Sequence, residues 1–166
     1  TVPVGITSFE DSAFAKANNL EKVIFQNGVE SLSNEIFYNN TGIKTIEFSD
    51  SIGAIGERAF SGCTNLKEIT IPDSVTQLGE SIFSNCTSLK KVVVPYSVTE
   101  LPKEAFCNCS SLDDITLENI EIINTFAFRG TPIKSFTIES SVKNIRIYAF
   151  ADCTNLKKVT FLSKDV

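Results

Sequence analysis

The sequence holds five cysteines and no histidine. Cys63, Cys86, Cys109 and Cys153 each sit three residues after a phenylalanine, and the first three recur every 23 residues. Thiols at regular spacing could hold a metal or close a disulfide. Thiolate zinc sites draw their ligands in C-x-x-C pairs or with histidine, and the chain offers neither. The better reading is a ladder of small buried thiols, a role cysteine fills well. Cys107 lies off this column, directly after Phe106, and is expected to be the more exposed, testable thiol.

Without histidine the chain lacks the commonest general base and the usual pH switch. The carboxylate pairs are Asp113 with Asp114, and Glu118 with Glu121. Neighbours in a strand point to opposite faces, so Asp113 and Asp114 are poorly placed for joint acid–base work. No nucleophile elbow, phosphate loop or H-E-x-x-H motif occurs. The sequence predicts a non-catalytic chain without metal or cofactor. Three glycosylation-type triplets begin at Asn39, Asn85 and Asn108. All three asparagines fall at a turn position, and backbone conformation accounts for them.

Those residues are placed by a repeat. The stretch Ala59–Val75 returns 23 residues later as Ile82–Val98, with nine of 17 positions identical. The marker phenylalanine recurs as Phe14, Phe37, Phe60, Phe83, Phe106, Phe128 and Phe150, at spacings of 22 or 23. Behind it run further apolar columns, such as Val23, Ile46, Ile69, Val92, Ile115, Phe136 and Val159, and then Phe25, Phe48, Ile71, Val94, Leu117, Ile138 and Phe161. A unit of this size cannot bury its apolar side alone. Stacked copies bury it against each other along a continuous core.

Each unit reads as a strand with period-2 alternation, as in Leu66 to Ile71, closed by a proline such as Pro72 or Pro95. A second short extended piece centres on Val75 to Leu78. A single helical turn is expected before the marker, with Asp11, Glu57, Glu80 and Glu104 at its favourable start. Two residues past the marker come Lys16, Asn39, Gly62, Asn85, Asn108, Gly130 and Asp152. All but Lys16 are types that tolerate a left-handed backbone.

The pattern L-x-x-I-x-I-P-x-S-V-T-x-(I/L)-G, complete at Leu66–Gly79 with Cys63 and Cys86 beside it, resembles the BspA-like, or Treponema pallidum type, leucine-rich repeat. The resemblance covers essentially all 166 residues. It implies an α/β, right-handed solenoid of about seven 22–23-residue repeats, with a parallel sheet on the concave side. Short helical turns and extended segments would make up the rest. It also implies a cell-surface or secreted protein that adheres to host or microbial proteins. The fifth and sixth copies are one residue short, and Asn40 and Thr131 replace the consensus cysteine.

Residues 1–166 are expected to form one repeat domain, a fragment of a longer array. Val2-Pro3 aligns with Ile71-Pro72, which places the start at a strand end. Neither end carries a polar capping unit, which invites a neighbouring domain or self-association through the ends. A net charge of -5 argues against nucleic acid, and no apolar run is long enough to insert in a membrane.

The expected binding face is the outward positions of the strands. One column is Lys22, Thr45, Glu68, Lys91, Asp114, Ser135 and Lys158, and its neighbour is Ile24, Glu47, Thr70, Val93, Thr116, Thr137 and Thr160. Tyr96, just past Pro95, is a further aromatic candidate. A flanking column, Glu21, Lys44, Lys67, Lys90, Asp113, Lys134 and Lys157, joins the first to hold eight of the 15 basic residues against four acids. This basic stripe on an acidic chain would steer an acidic partner, or simply keep the sheet solvated. Thr70, Thr116, Thr137 and Thr160 could suggest an ice-binding rank, but Ile24, Glu47 and Val93 interrupt it. The function expected is protein binding through the concave face. The alternative is a structural spacer or display stalk for another domain.

Overall fold

A computed structural model describes residues 5–163. Two families of short parallel strands alternate along the chain. The longer strands follow the L-x-x-I-x-I pattern: β1 (Lys22–Ile24), β3 (Thr45–Glu47), β5 (Glu68–Thr70), β7 (Lys91–Val94), β9 (Asp114–Leu117), β11 (Ser135–Ile138) and β13 (Lys158–Phe161). Between them lie two-residue strands: β2 (Ser31–Leu32), β4 (Ala54–Ile55), β6 (Gln77–Leu78), β8 (Glu100–Leu101), β10 (Ile122–Ile123) and β12 (Asn144–Ile145). Pairing is parallel and always joins equivalent residues of consecutive copies, such as Ile69 with Val92 and Val92 with Ile115. The result is a β-solenoid of about six full turns. The expected start at Val2-Pro3 lies outside the described residues.

The core is the set of apolar columns. Phe37, Phe60, Phe83, Phe106 and Phe128 are at most 1% exposed, and their rings stack face to face along the axis. Successive centroids from Phe14 to Phe150 are 5.2 to 5.7 Å apart, with interplanar angles of 4 to 18°. That separation exceeds the ~4.8 Å strand spacing, so the rings are offset, as their quadrupoles favour.

The expected helical turns are absent: no helix occurs among the described residues. The fold is therefore all-β, not α/β. The reason lies in two left-handed positions per unit. The anticipated column after the marker is left-handed throughout, Lys16 included (φ 58°). A second column, two residues before the marker, is left-handed as well: Ser12, Glu35, Arg58, Ser81, Glu104, Phe126 and Tyr148, with φ between 52 and 60°. This alternation turns every other N–H along the axis. Ser12, Phe14 and Lys16 donate to the carbonyls of Asn34, Ile36 and Tyr38 in the next copy at 2.8 to 2.9 Å. The intervening amides close local turns, as from Ala15 to the Ser12 carbonyl at 2.9 Å. A helix would keep all of these bonds inside one segment. Here half are shared between copies. The acids at this site therefore serve no helix start. Asp11 instead accepts from the Asn34 backbone N–H at 3.0 Å.

Neither sheet is continuous. The long strands form three ladders, β1-β3, β5-β7-β9 and β11-β13, and the short ones form β2-β4-β6 and β8-β10-β12. Core bulk changes at both long-strand seams, but bulk alone does not open one, since β11 and β13 pair with Phe136 against Val159 and Ile138 against Phe161. Phe48 gives way to Ile71 across the first, and Ile115 to Phe136 across the second, where the short copies also lie. The short-strand seam has a simpler cause. Gly56, Gly79, Asn124 and Arg146 each donate their N–H to the copy before, at 2.7 to 3.1 Å. Pro102 occupies that column and has no N–H to give.

Candidate functional site

The thiol column proves structural. Cys63, Cys86 and Cys109 are fully buried and free. Each sulfur donates to the marker carbonyl of the preceding copy: Cys63 to Phe37 at 3.5 Å, Cys86 to Phe60 at 3.1 Å and Cys109 to Phe83 at 3.1 Å. Burial pushes Cys63 and Cys109 up to about 12 and Cys86 well above its usual range. The two replacements do related work. Asn40 donates through Nδ2 to the Phe14 carbonyl at 3.4 Å, and Thr131 donates to the Phe128 carbonyl at 2.8 Å. Cys107 is not the exposed thiol that its place off the column suggested. It is 8% exposed, tucked behind the turn, and burial again raises its pKa. Cys153, on the last described copy, is the half-buried one.

The asparagine triplets are explained by conformation. Asn39, Asn85 and Asn108 have φ of 53, 60 and 59°. Asn108 donates to Asn85 Oδ1 at 3.1 Å along the rank. A Cβ on Gly62 would lie 2.1 Å from the Asn39 Oδ1, so this amide fills the space that a side chain at Gly62 would need.

The outward columns of the long strands lie where the alternation places them. Lys22, Thr45, Glu68, Lys91, Asp114, Ser135 and Lys158 are all exposed. In the neighbouring column Glu47, Thr70, Thr116 and Thr137 are exposed, while Ile24, Val93 and Thr160 are half-buried. Tyr96 is 65% exposed. Register sets these residues side by side: Lys22 against Thr45, Lys91 between Glu68 and Asp114, and Ser135 against Lys158.

Electrostatics divides the basic stripe. Lys22 pairs with Glu47 at 2.6 Å, Lys44 with Glu21 at 2.7 Å, and Lys91 with Asp114 at 3.4 Å. These pairs are about half exposed and contribute little to stability, but they neutralise the first two copies and the centre. Lys67, Lys90, Lys134, Lys157 and Lys158 join no ion pair among the described residues. The net positive field therefore comes from the flanking column and the later copies.

Both long-strand seams open as clefts on this face. The first, about 380 Å³, lies between β3 and β5 and is lined by Lys44, Thr45, Glu68, Thr70 and Lys91. The second, about 270 Å³, lies between β9 and β11. Sequence reasoning missed both. The second was marked by the shortened copies, 21 residues from Ile115 to Phe136 against 23 from Val92 to Ile115, and nothing in residue type marked the first.

A family model for the BspA type leucine-rich repeat region, in six copies, matches residues 1–113 and 30–157. Among solved structures, a leucine-rich cell surface protein from Faecalibacterium prausnitzii is 30% identical, with a TM-score of 0.86 over 96% of this chain and 44% of that one. A T. pallidum leucine-rich repeat protein is 25% identical, with a TM-score of 0.75 over 97% and 65%. A leucine-rich repeat protein from Eubacterium ventriosum, 20% identical, shares the fold with a TM-score of 0.69 over 91% and 57%. The chain thus spans less than two thirds of the length of each. No curated protein matches the sequence.

Proposed function

Because the chain belongs to the BspA-type leucine-rich repeat family, we propose that it is a non-catalytic protein-binding module displayed at a cell surface. Its long-strand face, the concave side that the family resemblance implies, would meet the partner. The observation that carries this reading is a contrast between columns. The inward columns of the long strands hold only apolar residues, whereas the outward column holds Lys, Thr, Glu, Asp and Ser on one exposed rank. A rigid backbone thus presents variable chemistry, which is how solenoids recognise proteins. The cell-surface assignment draws on the F. prausnitzii relative, described as a leucine-rich cell surface protein. The adhesive role, with host or microbial surface proteins as targets, is the finer part of this proposal.

The unpaired lysines suggest a partner with an acidic patch. The test is surface plasmon resonance against a panel of extracellular-matrix and bacterial surface proteins. A triple variant, Lys90→Glu, Lys134→Glu and Lys157→Glu, is run beside the native chain. All three side chains are exposed, so the fold should survive. The reading predicts binding that weakens with salt and drops at least about tenfold in the variant. Binding indifferent to these changes, or no binding at all, would favour the spacer role.

A further inference from the structure

The cleft between β9 and β11 differs from an ordinary seam because it reaches the core. Ile115 and Leu117 on β9 are half-buried, whereas Val92 and Val94, their register partners on β7, are fully buried. A polar rank that ties each copy to the one before, serine except for Asn119, also stops here. Ser51, Ser74 and Ser97 donate to the carbonyls of Val29, Ile52 and Val75 at 2.8, 2.7 and 2.6 Å. Ser141 holds the same column, yet its buried hydroxyl has no partner, and it lines the cleft. The floor is apolar, formed by Ile120, Ile133 and Phe136. The rim carries Asp113 and Asp114 on one lip and Glu139 on the other, with no lysine or arginine in the lining.

An occupant must cover an apolar floor and end in positive charge. The volume, about 270 Å³, is below the ~300–1,000 Å³ of typical small-molecule sites, which suits one side chain better than an added strand. Arginine has an apolar stem and a planar head with five donors, matched to carboxylates, a free hydroxyl and the carbonyls of an unpaired strand edge. We propose that the β9–β11 cleft is the pocket for an arginine side chain presented by the protein partner of this face. This inference rests on the binding-module reading above. The Lys91–Asp114 pair at the rim, 3.4 Å long and half exposed, is weak enough to yield or to share its carboxylate.

The test uses the whole ¹⁵N-labelled chain, titrated with N-acetyl-arginine amide and, separately, with the neutral isostere N-acetyl-citrulline amide. Arginine should shift the amides of residues 113–117 and 133–142 saturably, while those around the β3–β5 cleft stay still. Citrulline should shift neither set. A variant carrying Asp114→Asn and Glu139→Gln, both exposed, should keep the native spectrum elsewhere and bind arginine about tenfold more weakly. No saturable shift, equal shifts with citrulline, or unchanged affinity in the variant would overturn the pocket. A partner that binds the long-strand face yet ignores Asp114→Asn and Glu139→Gln would remove this proposal and leave the binding-module reading intact. Arginine binding without any protein partner would remove the binding-module reading and, with it, the presented arginine of this proposal.

Discussion

At the residue scale, two residues on one column teach different lessons. Gly62 and Lys16 share a left-handed position, and glycine, asparagine and aspartate elsewhere on the column made it legible. The second left-handed column, from Ser12 to Tyr148, holds no glycine or asparagine, so nothing in residue type announced it. Inter-copy hydrogen bonds hold it in place against a cost of about 1–2 kcal/mol per residue. Gly79 is a different case. A Cβ there would lie 2.2 Å from the Glu57 backbone nitrogen. Gly79→Ala should destabilise by about 2 kcal/mol or more, read by urea denaturation. Gly53→Ala, whose Cβ would meet nothing closer than 3.8 Å, is the control and should change little. The thiols give a pH prediction. Burial keeps them protonated in the folded chain, with Cys63 and Cys109 pushed up to about 12. An unfolded chain ionises them near pH ~8.5. The folded state therefore holds protons that the unfolded state has lost, and stability falls as pH climbs from ~8.5 towards 12. A Cys63→Ala, Cys109→Ala variant should show a shallower fall in denaturation midpoint over that range. In the native chain a thiol reagent should reach Cys153 first and Cys86 last.

At the scale of elements, strand positions followed from alternation and from the prolines that close them, and the short strands followed from the second apolar pair. The first seam was not legible, because period and polarity are the same on both sides of it. The second coincides with the shortened copies, 21 residues from Ile115 to Phe136 against 23 from Val92 to Ile115, and a single Pro102 breaks the short-strand ladder by lacking a donor. The expected helical turn failed for a related reason. Its apolar and acidic residues were read as a local pattern, whereas the bonds that decide its shape run between copies. Hydrogen exchange tests the seams directly. The N–H groups of Lys44, Lys90 and Lys157 donate to Glu21, Lys67 and Lys134 at 2.8, 2.7 and 2.9 Å. Lys67 and Lys134 occupy the same column beside the two seams and make no such bond among the described residues. Their amides should exchange faster than those of the other three. Equal protection across all five would mean that the ladders are joined in solution.

For the molecule as a whole, the spine of stacked phenylalanines was visible in the spacing alone, since a column that never admits a polar residue must face the core. What the outward columns bind was not visible, because exposed residues are free to vary without changing the fold. Phe83→Ala, in the middle of the spine and fully buried, should cost about 3–5 kcal/mol. Phe14→Ala, 39% exposed at the first described copy, should cost clearly less, with both read as shifts in denaturation midpoint. The turn ladder carries one more consequence. At Ser12, Phe14 and Lys16, and again at Glu35, Phe37 and Asn39, every shared N–H points towards the later copies and every shared carbonyl back towards the earlier ones. Peptide units aligned in this way add into a macrodipole, as they do in a helix. Its sense is reversed: the positive pole lies up the chain direction, so this edge of the stack draws anions towards its later copies and cations towards its earlier ones.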